Sequence, residues 1–372
     1  MSITTLYSRI WRLMLCGWMA VGLLSACGDP DTPAQPAPPP LAKELIFYDW
    51  ADDLPQSIID AFTAEYGVKV DYQTYDTTDE ARQNLRAGQV YDVVVIDSPF
   101  VPELAAEGLL AEIDHRNVPN FKNISANFRE LVSDPGDRYS VTYNWGLTGL
   151  IYLGDRVSPP VTRWADLWDP RFAGRLMVWN LQRSLVGIAL RSLGFSINSE
   201  NPAELEAALQ RLLTLKTHAR TAGWAPEVSE QVLVSGEVVL MYGWAGDVLR
   251  ARARNLNVRY VLPAEGSIQW GDNLVIPTAS PRKYTAEVFI NFLLRPEISA
   301  RIVNEQHYAT ANEAAYPFIK PEILNDPVIF PPLEEMRRAE IFMPLSPEGR
   351  ALHQRIWERY LAGATGAVGR NP

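Results

Sequence analysis

The chain runs to 372 residues, 47% apolar and 21% charged, a normal globular composition with enough length for two domains. Its formal net charge of −10 disfavours nucleic acid and polyanionic partners, and suits a cationic ligand no better than it suits plain solubility. Both cysteines, Cys16 and Cys27, fall at the start of the chain, so the body has no disulfide, no thiolate metal site and no cysteine nucleophile.

Arg9 and Arg12 precede an apolar run, Leu13 to Ala26, that ends in Leu24-Ser25-Ala26-Cys27. The pattern resembles a bacterial lipoprotein signal, in which residues 1–26 are removed and Cys27 becomes the lipid-bearing N-terminus. The run is shorter than the roughly 20 residues that span a bilayer. Loss of the two arginines takes the net charge to about −12. Residues 27–43 then form a tether. Five of the eight residues from Pro33 to Pro40 are proline, which holds the segment extended and keeps it from packing.

The body opens as alternating strand and helix. Glu44 to Tyr48 reads as a strand. Ser57 to Tyr66 reads as a helix with Ile58, Ile59 and Phe62 on one face and Gly67 as its stop, and Val68 to Tyr72 as the second strand. Thr78 to Ala87 is a helix stopped by Gly88, and Tyr91 to Ile96 is a strand apolar enough to be covered on both faces. This alternation implies a parallel sheet covered by helices. Ligands in such sheets sit beyond the carboxyl ends of the strands, which is where Trp50, Asp52, Asp97 and Ser98 fall. Tyr139 to Tyr152 is the passage out of this lobe. Arg175 to Trp179 is a strand, Ser184 to Leu193 and Pro202 to Leu215 are helices, and the strand Val238 to Tyr242 delivers Trp244 and Asp247 to its far end. The chain returns at about residues 268–277, and Glu287 to Leu294 is a helix.

Catalytic patterns are scarce. The four histidines, His115, His218, His307 and His353, show no metal-ligand spacing and read as scattered and solvent-facing. Neither a Gly-x-Ser-x-Gly elbow nor a phosphate-cradling glycine loop occurs. No cofactor or metal is expected.

A short spelling stands out instead. In Ile268 to Pro277, an extended backbone would point Trp270 and Asp272 to one face, because side chains repeat every two residues along a strand. An indole face beside a carboxylate binds cations. The face is worth roughly 0.5–2 kcal/mol to a protonated amine, and a charge-assisted hydrogen bond adds roughly 1.5–3. The spelling nearly recurs at Trp50-Ala51-Asp52 and Trp244-Ala245-Gly246-Asp247. Each case has a plainer alternative. Asp53 can cap a helix that begins near Pro55, and Trp244 can be core. Trp164-Ala165-Asp166 has the same spelling within what reads as a surface helical turn.

Several longer stretches together resemble the polyamine-binding proteins of bacterial ABC importers. They are Phe47-Tyr48-Asp49-Trp50, Tyr91 to Val95, Trp164-Ala165-Asp166-Leu167-Trp168, Gly243-Trp244-Ala245-Gly246-Asp247, Trp270 to Pro277 and Ile290 to Pro296, and the match spans about 44–363. The resemblance implies an α/β fold, the two-lobed type II periplasmic-binding-protein clamshell, each lobe a mixed sheet flanked by helices. Lobe I would be 44–147 with 273–316, and lobe II 148–272 with 317–372. The lobes would close about a hinge near Trp145–Gly149 and Gly271–Asn273.

The resemblance also implies site roles. Ligand-binding positions fall on Trp50, Asp52, Trp244, Asp247, Trp270, Asp272 and Tyr308. Asp53, Asp97 and Pro99 depart from the family pattern, and Leu181 and Ser184 stand, uncharged, where the family grips the far amine. Either Asp53 and Asp97 take over the far end, or that end of the ligand is not an ammonium; Ser98 and Ser184 are further candidate ligand-binding positions. The implied protein is a monomeric, lipid-anchored periplasmic binder that hands a putrescine- or spermidine-class amine to an ABC permease and performs no chemistry. The rival readings are a binder of another organic cation (a guanidino compound, a betaine or an amine-bearing amino acid), a non-transport sensor, or an enzyme on this fold.

Overall fold

The computed structural model describes residues 38–51 and 53–365, with side chains through Gly363. The leader, Cys27 and Asp52 lie outside the described residues.

In chain order the elements are β1 (Glu44–Trp50), α1 (Gln56–Tyr66), β2 (Lys69–Tyr75), α2 (Thr78–Arg86), β3 (Val93–Asp97), α3 (Val101–Ala106) and β4 (Ser140–Leu153). There follow β5 (Leu176–Trp179), α4 (Gln182–Ser192), α5 (Pro202–Lys216), β6 (Ala219–Ala222), α6 (Pro226–Ser235), β7 (Leu240–Gly243), α7 (Ala245–Arg252), β8 (Val258–Val261) and β9 (Ile268–Val275). The chain ends with α8 (Lys283–Leu293), α9 (Pro296–Gln306), β10 (Ala309–Thr310), α10 (Pro321–Leu324), α11 (Leu333–Arg338), β11 (Glu340–Ile341) and α12 (Pro347–Thr365).

α1 forms where the pattern predicts. Ile58, Ile59 and Phe62 are buried, and Gly67 closes the helix at φ 67° with its N–H on the Thr63 carbonyl, a left-handed conformation that glycine adopts without a Cβ clash. Each such side chain removed from water contributes about 1.5–3 kcal/mol.

The strands form one ladder in the order β2-β1-β3-β9-β4-β7-β5-β6. β1 pairs in parallel with β2 and β3, as the strand–helix alternation implies. β9 runs antiparallel to both of its neighbours, β3 and β4. It returns from the far side of the molecule, so it enters the first sheet from the opposite end, and the sheet is mixed rather than parallel.

The two largest of three hydrophobic cores flank this ladder, the third packing Tyr48, Leu85, Val94 and Leu104. The first packs Phe47, Phe62, Phe289 and Ile302, and the second packs Trp164, Trp179, Leu209 and Tyr242. β4 serves both. Its residues up to Trp145 belong to the first core and those from Leu150 to the second. Its first half pairs with β9 and its last four or five residues pair with β7 and β8. Ile319, Ile323 and Ile329 pack in the first core, so the chain leaves that lobe later than residue 317, and Ile356, Trp357 and Tyr360 of α12 pack in the second.

Two sequence readings need correcting here. Trp164 does sit on a short 3-10 turn, Trp164–Trp168, but it is fully buried, and its indole N–H donates to the Gly266 carbonyl at 2.9 Å. It anchors the second core rather than decorating a surface. His353 is 2% exposed, because α12 presses it against the Ser199 carbonyl at 2.9 Å, so the histidines are not all solvent-facing.

Where β4 and β9 cross, small residues make room for rings. Gly146 is the register partner of Trp270, and a Cβ at Gly146 would lie 2.6 Å from that indole. A Cβ at Gly149 would lie 2.6 Å from the Tyr260 ring.

Candidate functional site

A cavity of about 490 Å³ opens between the two cores, within the range of small-molecule sites. Strand ends supply one end of it. Trp50 closes β1, Asp97 closes β3, Ser98 follows it, Trp244 follows β7, and Trp270 and Asp272 project together from β9. Asp53, Ser184 and Tyr308 also line the cavity.

The walls are aromatic. Trp224 stands edge-on between Trp50, at 6.0 Å and 89°, and Trp244, at 5.8 Å and 89°. Trp270 meets Tyr308 edge-on at 5.5 Å. Trp224 sits in the loop between β6 and α6 without a nearby carboxylate in its spelling, so nothing local marked it as a site residue.

The floor is acidic, and the sheet register makes it so. Asp97 and Asp272 are directly paired across β3 and β9, an arrangement that places like charges side by side. The contact between the two carboxyl groups works to raise Asp272 and to lower Asp97. Asp97 also accepts from Thr78 Oγ1 at 2.7 Å. Asp53 Oδ2 accepts from Asn144 Nδ2 at 3.0 Å. It does not cap α1, which starts after Pro55 with no side-chain cap. Asp49, inside β1, is fully buried with Oδ1 on the Trp50 N–H and Oδ2 unpartnered among the described residues.

Burial pushes all four carboxyl groups up, and the charges of the others add to it at Asp272 and Asp49. Asp272 is held well above the usual range, first by burial and then by the charges of Asp97 and Asp53. Asp49 is held there by burial and then by Asp53. Burial raises Asp97, with the Thr78 hydroxyl opposing it. Asp53 is pushed up to about 7 by burial, against the pull of Asn144 and Arg250. A cation bound on this floor would favour the charged form of these carboxyl groups and so oppose the upward shift. Among the described residues no three His, Cys, Asp or Glu side chains are arranged to hold a metal ion.

Not every candidate residue faces the cavity. Asp247 does not line it. Its side chain is fully buried, with Oδ2 on the Trp244 N–H at 3.1 Å and Oδ1 shared by Ser229 Oγ at 2.7 Å and Arg250 Nη2 at 3.0 Å. Those oxygens are spent capping α7 and aiming Arg250, whose guanidinium bonds the Tyr308 hydroxyl and lowers Asp53. Ser98 lines the cavity, but its proton goes to the Gly271 carbonyl at 3.1 Å and it accepts from Asn273 Nδ2 at 2.8 Å, so it braces the bend of β9. Asp52 lies outside the described residues.

The other end of the cavity has a different character. Leu181, Arg183 and Ser184 of the α4 entry line it, with Phe342 and with His353 and Gln354 of α12. Asp97 and Asp53 are not at this end. Both are grouped with Asp272, as their mutual electrostatic effects show. The sequence reading missed Arg183, His353 and Trp224, and it quoted Asp49 without giving it a role.

Residues 57–331 match the family model described as bacterial extracellular solute-binding protein. The spermidine/putrescine-binding periplasmic protein of Escherichia coli K12 is 33% identical over 332 residues, 88% of this chain and 92% of that protein. A putrescine/agmatine-binding protein of Pseudomonas aeruginosa is 32% identical over 341 residues, 85% of this chain and 91% of that protein. Among solved structures, the spermidine/putrescine ABC transporter substrate-binding protein of Streptococcus pneumoniae superposes with a TM-score of 0.74 at 27% identity, covering 87% of this chain and all of that one. A mixed ladder shared by two cores, a cavity between them and this breadth of similarity lead to one conclusion: the chain belongs to the bacterial extracellular solute-binding proteins, in the family that holds the spermidine/putrescine-binding periplasmic proteins of ABC transporters.

Proposed function

We propose that this protein is the periplasmic receptor of an ABC importer and captures a di- or polyamine of the putrescine and spermidine class between its lobes. The observation that carries the reading is the acidic floor: paired Asp97 and Asp272, with Asp53 beside them, under a wall of indoles. An ammonium there gains charge-assisted hydrogen bonds, contact with aromatic faces and relief of carboxylate repulsion. The names of the relatives and the lipobox-like Leu24 to Cys27 support the rest. The protein acts as a monomer tethered to the membrane through Cys27, its lobes close about the β4–β9 crossing, and it hands the ligand to a permease without making or breaking bonds. Closure is driven by contacts the ligand makes only when both lobes reach it.

Titration calorimetry of the purified protein with putrescine and spermidine tests this. Micromolar affinity, about −8 kcal/mol, is expected. No heat with either amine at high micromolar concentration would remove the amine assignment.

Trp224 supplies a narrower test. Trp224→Ala is expected to weaken amine binding about two- to thirtyfold, the worth of one aromatic face to a cation, with little change in melting temperature because the ring is only half-buried. Unchanged affinity would take Trp224 out of the ligand's wall.

A further inference from the structure

The sheet register sets the acids of the floor in a row across the strands. Asp97 of β3 is the register partner of Asp272 of β9, and Asp272 is the partner of Asn144 of β4. Register partners in an antiparallel ladder share a face, and neighbouring strands lie about 4.8 Å apart. Asn144 turns its amide to Asp53, donating from Nδ2 to Oδ2 at 3.0 Å. The row therefore runs Asp97, Asp272, Asp53, with the last carboxylate held at the β4 end by Asn144.

Asp53 is left with an open oxygen. It is 6% exposed and lines the cavity, yet the Asn144 contact is its one side-chain hydrogen bond among the described residues, so Oδ1 is free to accept. Arg250 acts on Asp53 through its charge alone, since its ion pair is with Asp247 at 3.0 Å. Among the described residues the rest of the cavity wall offers no unpaired acid. Asp79 and Glu103 line it, but Arg82 pairs with both, at 2.6 Å and 2.7 Å. The end remote from Asp272 is lined by Leu181, Arg183, Ser184 and Phe342. Arg183 keeps its charge there near pH 7, since burial lowers it only to about 10. His353 is neutral, held down to about 4 by burial and then by the charge of Arg183.

We propose that both ammonium groups of the ligand sit on this one row, the first between Asp97 and Asp272 and the second on Asp53 Oδ1, and that the protein thereby selects short α,ω-diamines. The inference rests on the amine reading of the acidic floor. A diamine laid along the row crosses one to two strand widths, about 5–10 Å, the reach of about three to six carbons. Trp224, which packs against the second core, covers its methylenes from the opposite lobe. A third ammonium, as in spermidine, is driven toward the Arg183 end, where it meets a like charge and no free acid.

Calorimetry of the purified protein tests this with α,ω-diamines of three to eight carbons, the matching unbranched monoamines and spermidine. Affinity is expected to peak at about six carbons or fewer, with spermidine at least tenfold weaker than the best diamine. Asp53→Asn is expected to cut the advantage of that diamine over its monoamine at least tenfold, whereas a merely structural role would weaken both alike. Ser184→Glu, which puts an acid at the remote end, is expected to raise the affinity for spermidine at least tenfold relative to the diamine. Spermidine or the eight-carbon diamine binding best overturns the single row and leaves the amine reading standing. Equal losses for diamine and monoamine in Asp53→Asn overturn it as well. A ratio unmoved by Ser184→Glu, in a protein that melts like the parent, overturns the exclusion at the remote end. Silence from every amine overturns the amine reading and the row with it.

Discussion

Asp272→Asn is expected to weaken amine binding at least tenfold, and to raise the melting temperature of the empty protein. The two effects have one source. Asp272 is buried directly across the ladder from Asp97, and both carboxyl groups are pushed above their ordinary range. In the empty cavity, burial and their closeness both disfavour carrying two negative charges side by side. An asparagine amide can donate to Asp97 in its place, with no charge to bury and no proton to hold. The amine loses its central acceptor, and a hydrogen bond to a charged group is worth about 1.5–3 kcal/mol, or about ten- to a hundred-and-fifty-fold in affinity. Calorimetry and thermal melting on the same preparation separate the outcomes. Unchanged affinity would reduce Asp272 to a structural residue. A lower melting temperature would mean that the carboxylate stabilises the empty fold.

The second large effect concerns pH. Asp53 is pushed up to about 7 when folded, and Asp49, Asp97 and Asp272 are raised with it. The ordinary value for an unfolded aspartate is about 4. Between those values the empty folded chain holds protons that the unfolded chain has released. This contribution to stability is therefore fully present below about pH 4 and is lost as pH rises through about 7. Amine binding has the opposite slope, since an ammonium replaces those protons. Affinity should rise by up to about tenfold per pH unit for each proton displaced as pH rises from 5, with the share of Asp53 levelling off above about 7. Titrations at pH 5, 6, 7 and 8 check the slope. Repeating the pH 6 titration in buffers of different ionisation heat counts the protons released. An affinity flat from pH 5 to 8 would show that the floor is already ionised in the empty protein.

How much of this was readable in the sequence depended on how local the cause was. α1 follows from Ile58, Ile59, Phe62 and a terminal glycine, all within one short segment, and it formed as read. The Trp270 and Asp272 pairing follows from strand period alone, and both residues line the cavity. The antiparallel entry of β9 was not contained in the strand–helix alternation, because direction depends on where the chain returns from. Asp247 illustrates the same boundary. Its spelling nearly repeats that of Asp272 with one more spacer, but three residues into a helix start the carboxylate folds back onto its own backbone, as helix-capping acids do. At Trp164 the same spelling closes a 3-10 turn, where Asp166 accepts from the Arg163 N–H at 3.0 Å. Arg183, Trp224 and His353 carry no local signature. A lone arginine at a helix start usually faces water, and only the packing of α12 and Phe342 around Arg183 hides it.

Gly146 does not line the cavity, yet it helps to shape it. It lies behind Trp270 in the ladder, and the indole is seated across its bare backbone, with 2.6 Å left for any Cβ. The tilt of the aromatic face that meets the ligand is thus set by the absence of a methyl group on the neighbouring strand. Evolution, or an engineer, can retune which ligand fits by editing the back of the wall and leaving every lining side chain as it is.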